Sequence, residues 1–356
     1  MPRPKPIRPR ETVCLADIAA KVKLSKSGVS RALRNDPAIP LATCRRVQAA
    51  ARRLGFVLDR RLAQALQLVR CTAKERIFGT IGFIDAWPLH SGIRSASNVY
   101  LRRIKAGAEE RARELGYRLD VFSLMEPGMS AQRVQGILEA RGIQGLLIAP
   151  LPPDVHELPI KWERFTCVAL THSLQSPGLH RVLPHQYQAA ALALQHLQQA
   201  GYRRVGFVTT SELDVRVNHL YRAAYLSYQY MLLPEDCLPV LMAHGPLDDI
   251  FDEWLKENTP DAILGSVPGI LELMIKRGYG DFKRVGFVGL GIRPDNGIGG
   301  KSAFVDQNIT QVARVGVDQL VAQVERRERG VPLVANAVMI EGTWVPGLSM
   351  REGGRS

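Results

Sequence analysis

From about residue 76 onward, apolar strand-like runs alternate with amphipathic helical segments, and this alternation is the feature that most constrains the fold. The stretch IFGTIGFID predicts a strand, YLRRIKAGAEERARELGY a helix, and RLDVF a second strand. A helix ending in Gly-Tyr before a strand recurs in HLQQAGYRRVGFVTT and MIKRGYGDFKRVGFVGLG. Repeated βα units imply parallel sheets covered by helices. Two runs of units, with a shift near residues 184–188, predict two lobes.

The first fifth of the chain differs from the rest in charge. Residues 1–76 carry 18 basic and 5 acidic side chains, whereas the remaining 280 residues carry 29 of each. The whole formal net charge of +13 therefore comes from this first segment. A basic segment joined to a neutral one indicates a polyanionic partner for the basic segment alone.

Three short helices are predicted within residues 11–58. In LADIAAKV the apolar residues recur at i, i+3, i+4 and i+7, and Ser25 is a suitable N-cap for a second helix. Val29 and Leu33 of that helix are predicted to pack on the first, and PLATCRRVQAAARRLGF forms a third helix that ends at Gly55. Two helices joined by a tight turn and supported by a third form a helix-turn-helix, whose second helix enters the major groove of DNA. The outward residues of the second helix are Lys26, Ser27, Ser30 and Arg31.

The segment LADIAAKVKLSKSGVSRALRNDPAIPLATCRRVQAAARRLGF resembles the N-terminal domain of lactose/galactose-repressor (LacI/GalR) transcription regulators. The VSRAL helix and the closing LGF carry the resemblance. It implies that Lys26, Ser27 and Arg31 read bases. It also implies that Ser25 and Ser30 hold phosphate. Lys23 stands where the family has a turn glycine; it adds a phosphate contact and costs little if its φ is negative.

A hinge is expected over residues 59–75, where the family has a short helix that orders on DNA and inserts a leucine into the minor groove. AQAL resembles this hinge and would make Leu66 the inserted residue. The spacing from Phe56 is one residue longer than usual, and Leu58 and Asp59 replace a customary proline and asparagine. A plain helical linker is the alternative.

Residues 76–345 resemble the periplasmic-binding-protein-like effector domain of the same family. VLPHQYQAAALALQHLQQAGYRRVGFV matches the crossing into the second lobe, AFVDQNITQVARVGVDQL the return crossing, and IEGTWVPG the closing strand. The predicted organisation is a basic proline-rich arm over 1–10, the helix-turn-helix domain, the hinge, this two-lobed α/β domain, and a tail over 346–356.

The cleft between the lobes is the expected ligand site, because ligands of such folds bind at the carboxyl ends of strands. Asp85, Trp87 and Gln307 are expected to face it, although Trp87 suits the core equally well. Family positions that hold sugar hydroxyls are replaced here by apolar or less polar residues, which predicts a different ligand or none. Those replacements are His172, Tyr221 (with Arg222 adjacent), Val267 and Gly291.

Several other classes of function lack a signal in the sequence. GLGIRPDNGIGG fails the GxGxxG pattern, and GxxxxGK[ST], HExxH and GxSxG are absent, so we expect no enzyme, no cofactor and no metal site. The five cysteines have no CxxC spacing and are expected to be reduced thiols. No apolar run reaches membrane-spanning length and no secretory signal is recognisable, so a cytoplasmic protein is expected.

The resemblance therefore implies a homodimeric regulator that binds a pseudo-palindromic double-stranded DNA operator under the control of a small-molecule effector. Repression is the expected mode, with activation left open. The alternative is a solute-binding receptor module whose basic N-terminus binds nucleic acid only nonspecifically.

Overall fold

The computed structural model describes residues 15–33, 39–54, 77–92, 95, 98–291 and 301–351. The chain forms two compact units, Met1–Arg76 and Ile77–Ser356. The predicted arm over 1–10 and the predicted hinge over 59–75, with Leu66, lie outside the described residues.

Unit 1 contains the three helices that the apolar spacing predicts. They are α1 (Leu15–Val22), α2 (Lys26–Leu33) and α3 (Leu41–Arg53). Their buried faces form one small core made of Ile18, Ala19, Val22, Val29, Ala32, Cys44, Val47 and Ala51. Each helix is too short to be stable alone in water, so burial of these faces holds the unit together.

Unit 2 contains two parallel-rich sheets, and each sheet defines one lobe. The first sheet has the strand order β11-β5-β4-β3-β1-β2 and is parallel throughout. Its strands are β1 (Gly79–Asp85), β2 (Tyr117–Ser123), β3 (Gly145–Ile148), β4 (Thr166–Leu170), β5 (His180–Pro184) and β11 (Ala337–Ile340).

The second sheet repeats this arrangement with the order β12-β10-β9-β8-β6-β7, and its edge strand β12 runs antiparallel to β10. Its strands are β6 (Val205–Thr210), β7 (Leu241–Ala243), β8 (Ala262–Gly265), β9 (Gly286–Gly291), β10 (Ala303–Asp306) and β12 (Thr343–Val345). Both orders place the second strand outside the first, as in doubly wound α/β folds, which confirms the predicted fold class.

Helices cover both faces of each sheet. In the first lobe, α4 (Val99–Glu114) and α11 (Ile309–Arg326) bury apolar side chains on one face and α5 (Ala131–Ala140) covers the other. In the second lobe, α6 (Gln186–Gln199) and α8 (Leu220–Gln229) lie on one face, and α9 (Asp248–Asn258) and α10 (Ile270–Lys276) on the other. A further short helix, α7 (Ser211–Arg216), follows β6.

The chain crosses between the lobes three times: from β5 into α6, from β10 into α11, and from β11 into β12. The side-chain amide of Asn308, in the second crossing, donates to the Glu341 carbonyl (2.8 Å) and to Thr343 Oγ1 (2.9 Å) in the third. The amide of Gly342 donates to Gln188 Oε1 beside the first crossing (2.8 Å). Side-chain hydrogen bonds therefore join the three crossings.

The predicted tail begins inside the second lobe. Ser349 is fully buried, donates to the Phe287 carbonyl (2.7 Å) and accepts from the Ala303 amide (2.8 Å). The described residues 346–351 thus extend the packing of β9 and β10 rather than projecting from it.

The described residues contain no helix long and apolar enough to cross a membrane. They also contain no group of three or more histidine, cysteine or carboxylate side chains that could hold a metal ion. Cys44, Cys167 and Cys237, the cysteines within this part of the chain, are free thiols.

Candidate nucleic-acid interface and ligand cavity

The second helix of unit 1 has one buried face and one exposed face. Ser25 Oγ accepts the Gly28 amide (3.1 Å) and so caps α2, as predicted. Val29 and Ala32 are fully buried against the other helices. Lys26 and Arg31 are exposed, which places an ammonium and a guanidinium on the outer face of the capped helix. These groups can donate hydrogen bonds to guanine acceptors or to phosphates.

The remaining predicted DNA contacts surround this exposed face. Ser27 and Ser30 belong to α2, although their side chains are not among those described, and Lys23 lies exposed in the turn before it. Arg45 and Arg46 are exposed on α3. Lys21 is likewise exposed on α1, so the exposed surface of unit 1 carries basic side chains on its turn and on all three helices.

The backbone of Lys23 differs from the sequence-based expectation, in which lysine costs little if its φ is negative. Its φ is +54°, in the left-handed region that side chains with a Cβ occupy at a cost of about 1–2 kcal/mol. The family's turn glycine avoids that cost. Lys23 therefore lowers the stability of unit 1 and places a positive charge in the turn.

We expect Lys23→Gly to stabilise unit 1 by about 1 kcal/mol, because glycine relieves the left-handed strain. In the full chain, hydrogen–deuterium exchange of the buried amides of α1 and α3 should slow about fivefold. Lys21→Gly, inside α1, is the control and should speed exchange, since glycine disfavours helix. Faster exchange in Lys23→Gly would contradict the strain.

A cavity of about 610 Å³ lies in unit 2, between side chains at the carboxyl ends of both sheets. The first lobe contributes residues that follow β1 and β4, and the second contributes residues at the ends of β6, β8 and β9. Its wall is predominantly apolar and includes Leu213, Val217, Val267, Pro268, Phe287, Leu290 and Phe304. This is the place where a two-lobed α/β fold offers a ligand site.

Five of the eight residues predicted for the cleft line this cavity: Trp87, Tyr221, Val267, Gly291 and Gln307. Val267 and Gly291 provide no hydrogen-bonding side chain. Tyr221 is buried, and burial raises the pKa of its phenol. Asp85, His172 and Arg222 do not line the cavity.

Asp85 supports the cavity wall from behind. Its carboxylate is buried and accepts the Trp87 amide (3.0 Å), while the Trp87 indole N–H donates to the Pro150 carbonyl (2.7 Å). These two hydrogen bonds fix the indole ring. Asp85 therefore orients a lining residue and does not itself line the cavity.

His172 and Arg222 lie outside the cavity wall. Thr171, whose φ is +69°, lines the cavity. The next residue, the half-buried His172, lies outside the cavity wall. Burial and the positive charge of Arg181 lower the pKa of His172. Arg222 pairs with the buried carboxylate of Asp214 (3.0 Å).

The structure adds a cation that the sequence analysis missed. Arg216, the last residue of α7, lines the cavity with its guanidinium carbon 5.7 Å from the centroid of the Trp87 ring. Burial lowers the pKa of Arg216. Burial also raises the pKa of Tyr100, another lining residue, to about 12, a shift that the charge of Arg216 opposes. The sequence signal that could have identified Arg216 is Thr210. This residue is the N-cap of a helix of one to two turns that ends at Arg216.

Two amide side chains near the lobe crossings also line the cavity. Gln186 and Gln307 are 4% and 5% exposed, so both are almost completely buried. Gln186 Oε1 and Gln307 Nε2 have no hydrogen-bond partner among the described residues. Buried polar atoms without partners are costly, and a bound molecule would satisfy them.

Two family models match the chain. Residues 14–58 match "Bacterial regulatory proteins, lacI family", and residues 93–227 match "Periplasmic binding proteins and sugar binding domain of LacI family". Together the two matches span half of the chain. The chain belongs to the LacI family.

Individual relatives of this LacI-family chain are distant. An uncharacterised HTH-type transcriptional regulator in the aml 5′ region of Streptomyces limosus is 26% identical over 198 residues, 54% of this chain and 51% of the relative. An HTH-type transcriptional regulator of Mycobacterium tuberculosis is 26% identical over 202 residues, 56% of this chain and 53% of the relative. The matches span about half the length of these curated relatives.

Solved structures share the fold. The lac repressor dimer bound to operator and the anti-inducer ONPF has a TM-score of 0.55 at 17% identity, over 95% of this chain and 99% of that one. A complex of the transcriptional regulator CelR with cellobiose has a TM-score of 0.56 at 17% identity, with the same coverage.

Proposed function

We propose that this protein is a sequence-specific DNA-binding transcription regulator whose affinity for its operator is controlled by a small molecule bound between the two lobes. The observation that carries the proposal is α2, which Ser25 caps and which presents Lys26 and Arg31 on its exposed face. Ser27 completes the proposed reading face, and Ser25, Ser30 and Lys23 are the proposed phosphate contacts. Leu66 is proposed as the minor-groove residue of the hinge.

Charge supports DNA as the partner of unit 1. All of the excess positive charge lies in residues 1–76, and exposed arginines flank the reading helix on α3. Phosphate contacts of this kind set affinity and position, while base contacts select the sequence. The matched family comprises regulatory proteins, so the proposal includes no catalytic step.

The cavity supports control by a small molecule. It is formed by both lobes and adjoins the crossings through Gln186 and Gln307, so a bound molecule contacts the segments that connect the lobes. Differential affinity for two arrangements of the lobes is the means by which an effector shifts such a protein between states. Trp87, Tyr221, Val267, Gly291 and Gln307 are the proposed contacts, and Asp85 positions Trp87.

The proposal is tested by selecting duplexes from a random-sequence pool with the full-length protein. A recurring pseudo-palindromic site supports it, since a two-fold dimer reads two half-sites. Enrichment of no sequence, despite salt-dependent binding, would favour the receptor with nonspecific affinity for nucleic acid.

We expect the protein to be a homodimer. Four large apolar side chains in α8 and directly after it are 51–91% exposed: Leu226, Tyr230, Met231 and Leu233. Exposed apolar groups close together are typical of surfaces that bind another protein. Leu226→Asp with Tyr230→Asp should weaken self-association at least about tenfold in sedimentation equilibrium. Met125→Asp, which alters an exposed methionine of the first lobe, is the control. A wild-type monomer at micromolar concentration would contradict the proposal.

We expect simple hexoses to leave the thermal stability of the protein unchanged. A site built to bind a hydroxyl needs hydrogen-bonding groups, and Val267 and Gly291 provide none from their side chains. A true ligand raises the melting temperature by mass action on the folded state. A rise of several degrees with glucose or galactose that is lost in Gln307→Ala would show that the cavity binds hexoses.

A further inference from the structure

We propose that the effector is a monocarboxylate with an apolar body, and that the Arg216 guanidinium binds its carboxylate. The inference rests on the proposed function of the cavity as the effector site. It adds the chemical class of the molecule and the residue that selects it.

Arg216 is placed like a binding residue rather than a structural one. It lines the cavity and is half-buried, and no carboxylate of the described residues forms an ion pair with it. Its guanidinium lies over the face of the Trp87 ring. A cation that is partly removed from water without a counterion destabilises the protein unless a ligand provides one.

Several other arginines of unit 2 are paired with carboxylates. Arg111 binds Asp318 (2.6 Å), Arg277 binds Asp252 (2.8 Å) and Arg314 binds Glu110 (2.8 Å). Each of these guanidiniums lies near the surface with its carboxylate, whereas Arg216 faces the cavity. A carboxylate that pairs with Arg216 would therefore lie inside the cavity.

The rest of the wall limits the ligand to one negative charge. Arg216 is the sole basic side chain among the described lining residues, and the acidic ones, Glu212 and Glu272, are exposed. A phosphate ester, with about two charges at neutral pH, would need further donors. A guanidinium instead matches the two oxygens of one carboxylate. The apolar remainder of the wall suits an aryl or alkyl body.

Gln186 and Gln307 are independent evidence that the cavity binds a molecule. Both are more than nine-tenths buried, both line the cavity, and each has an amide atom without a partner among the described residues. The unsatisfied atom of Gln186 is the acceptor Oε1, and that of Gln307 is the donor Nε2. A polar substituent on the apolar body would satisfy them at the crossings.

The contact between Arg216 and Trp87 links ligand binding to lobe arrangement. Trp87 follows β1 of the first lobe and is held there by the Pro150 carbonyl, whereas Arg216 ends α7 of the second. A carboxylate on Arg216 neutralises the cation that faces the indole ring, so the same group that binds the ligand alters a contact between the lobes.

The experiment uses the full-length protein with benzoate, phenylacetate, hexanoate and octanoate at constant ionic strength, each beside its neutral primary amide. Inorganic phosphate and glucose are further probes. Melting temperature and calorimetric Kd are measured for wild type, Arg216→Gln, Arg216→Lys and the control Arg133→Gln, which removes an exposed arginine of α5. Binding of the selected operator is measured in the same samples.

We expect at least one carboxylate, and not its amide, to stabilise the wild type. Arg216→Gln should weaken that carboxylate about 10- to 100-fold, Arg216→Lys less, and Arg133→Gln not at all. Without ligand, Arg216→Gln should melt no lower than wild type, because it removes a desolvated charge. That result also shows that the variant folds.

Stabilisation by an amide or by glucose that equals or exceeds that of every carboxylate would overturn the inference, as would a carboxylate bound equally by Arg216→Gln. Absence of stabilisation by all four carboxylates would overturn it too. Specific operator binding by the wild type, either with or without ligand, would leave the proposed function intact, whereas its absence under both conditions would count against the function itself.

Discussion

Arg31→Ala is expected to weaken binding to the selected operator by about 5- to 150-fold and to relax the preference for one base pair in each half-site. A bidentate contact between a guanidinium and guanine contributes about 1–3 kcal/mol of discrimination. Arg31 is exposed on α2, whose opposite face is fixed by the buried Val29 and Ala32. The measurement is a repeated selection with the variant, followed by titration of the wild-type site.

Arg45→Ala is the matched control, since Arg45 is an exposed arginine of the same unit but lies on α3. It should weaken binding to all sequences to a similar extent and lower the salt dependence, as loss of a phosphate contact does. If Arg31→Ala retains the full sequence preference of the wild type, the assignment of α2 as the reading helix is wrong.

Gly107→Ala is expected to destabilise unit 2 by about 1–3 kcal/mol, the usual cost of overpacking. Gly107 lies in α4 where this helix meets α11, and a Cβ there would be 2.6 Å from the Thr310 carbonyl oxygen and 2.9 Å from Thr310 Cγ2. The obstacle is backbone in the first turn of α11, so the helices must separate. Urea unfolding followed by tryptophan fluorescence measures the loss.

Gly136→Ala is the matched control, because a Cβ at this position in α5 meets nothing within 4 Å. It should stabilise unit 2 by about 0.5–1 kcal/mol through helix propensity alone. The four tryptophans of the chain, Trp87, Trp162, Trp254 and Trp344, all lie in unit 2, so their fluorescence reports on it selectively. Equal effects of the two substitutions would contradict the close packing of α4 on α11.

The parts of the fold governed by local pattern could be predicted from the sequence. Ser25 caps α2 and Val29 is buried because capping and helical periodicity depend on residues a few positions apart. The two parallel-rich sheets could be predicted from the βα alternation, which is also a local pattern. The role of residues 346–351 could not be predicted, since the burial of Ser349 depends on backbone groups of Phe287 and Ala303 far along the chain.

The residues that line the cavity could be predicted only in part from the sequence. Trp87, Tyr221, Val267, Gly291 and Gln307 were predicted for the cleft and line it, because strand ends are visible in the sequence. Arg216 was missed because α7 ends after six residues and Asn218 and His219 then adopt φ values of +54° and +61°. This reversal changes which side chains face the cavity, and no periodic pattern encodes it.

The central claim is sequence-specific DNA binding, and its most direct measurement is a salt titration of the full-length protein on the selected duplex and on a scrambled duplex of the same length. We expect an affinity ratio of about 1,000 or more at physiological salt. We also expect scrambled-duplex affinity to fall steeply as salt rises, because phosphate contacts alone hold that complex. Equal affinity for the two duplexes at every salt concentration would contradict the account.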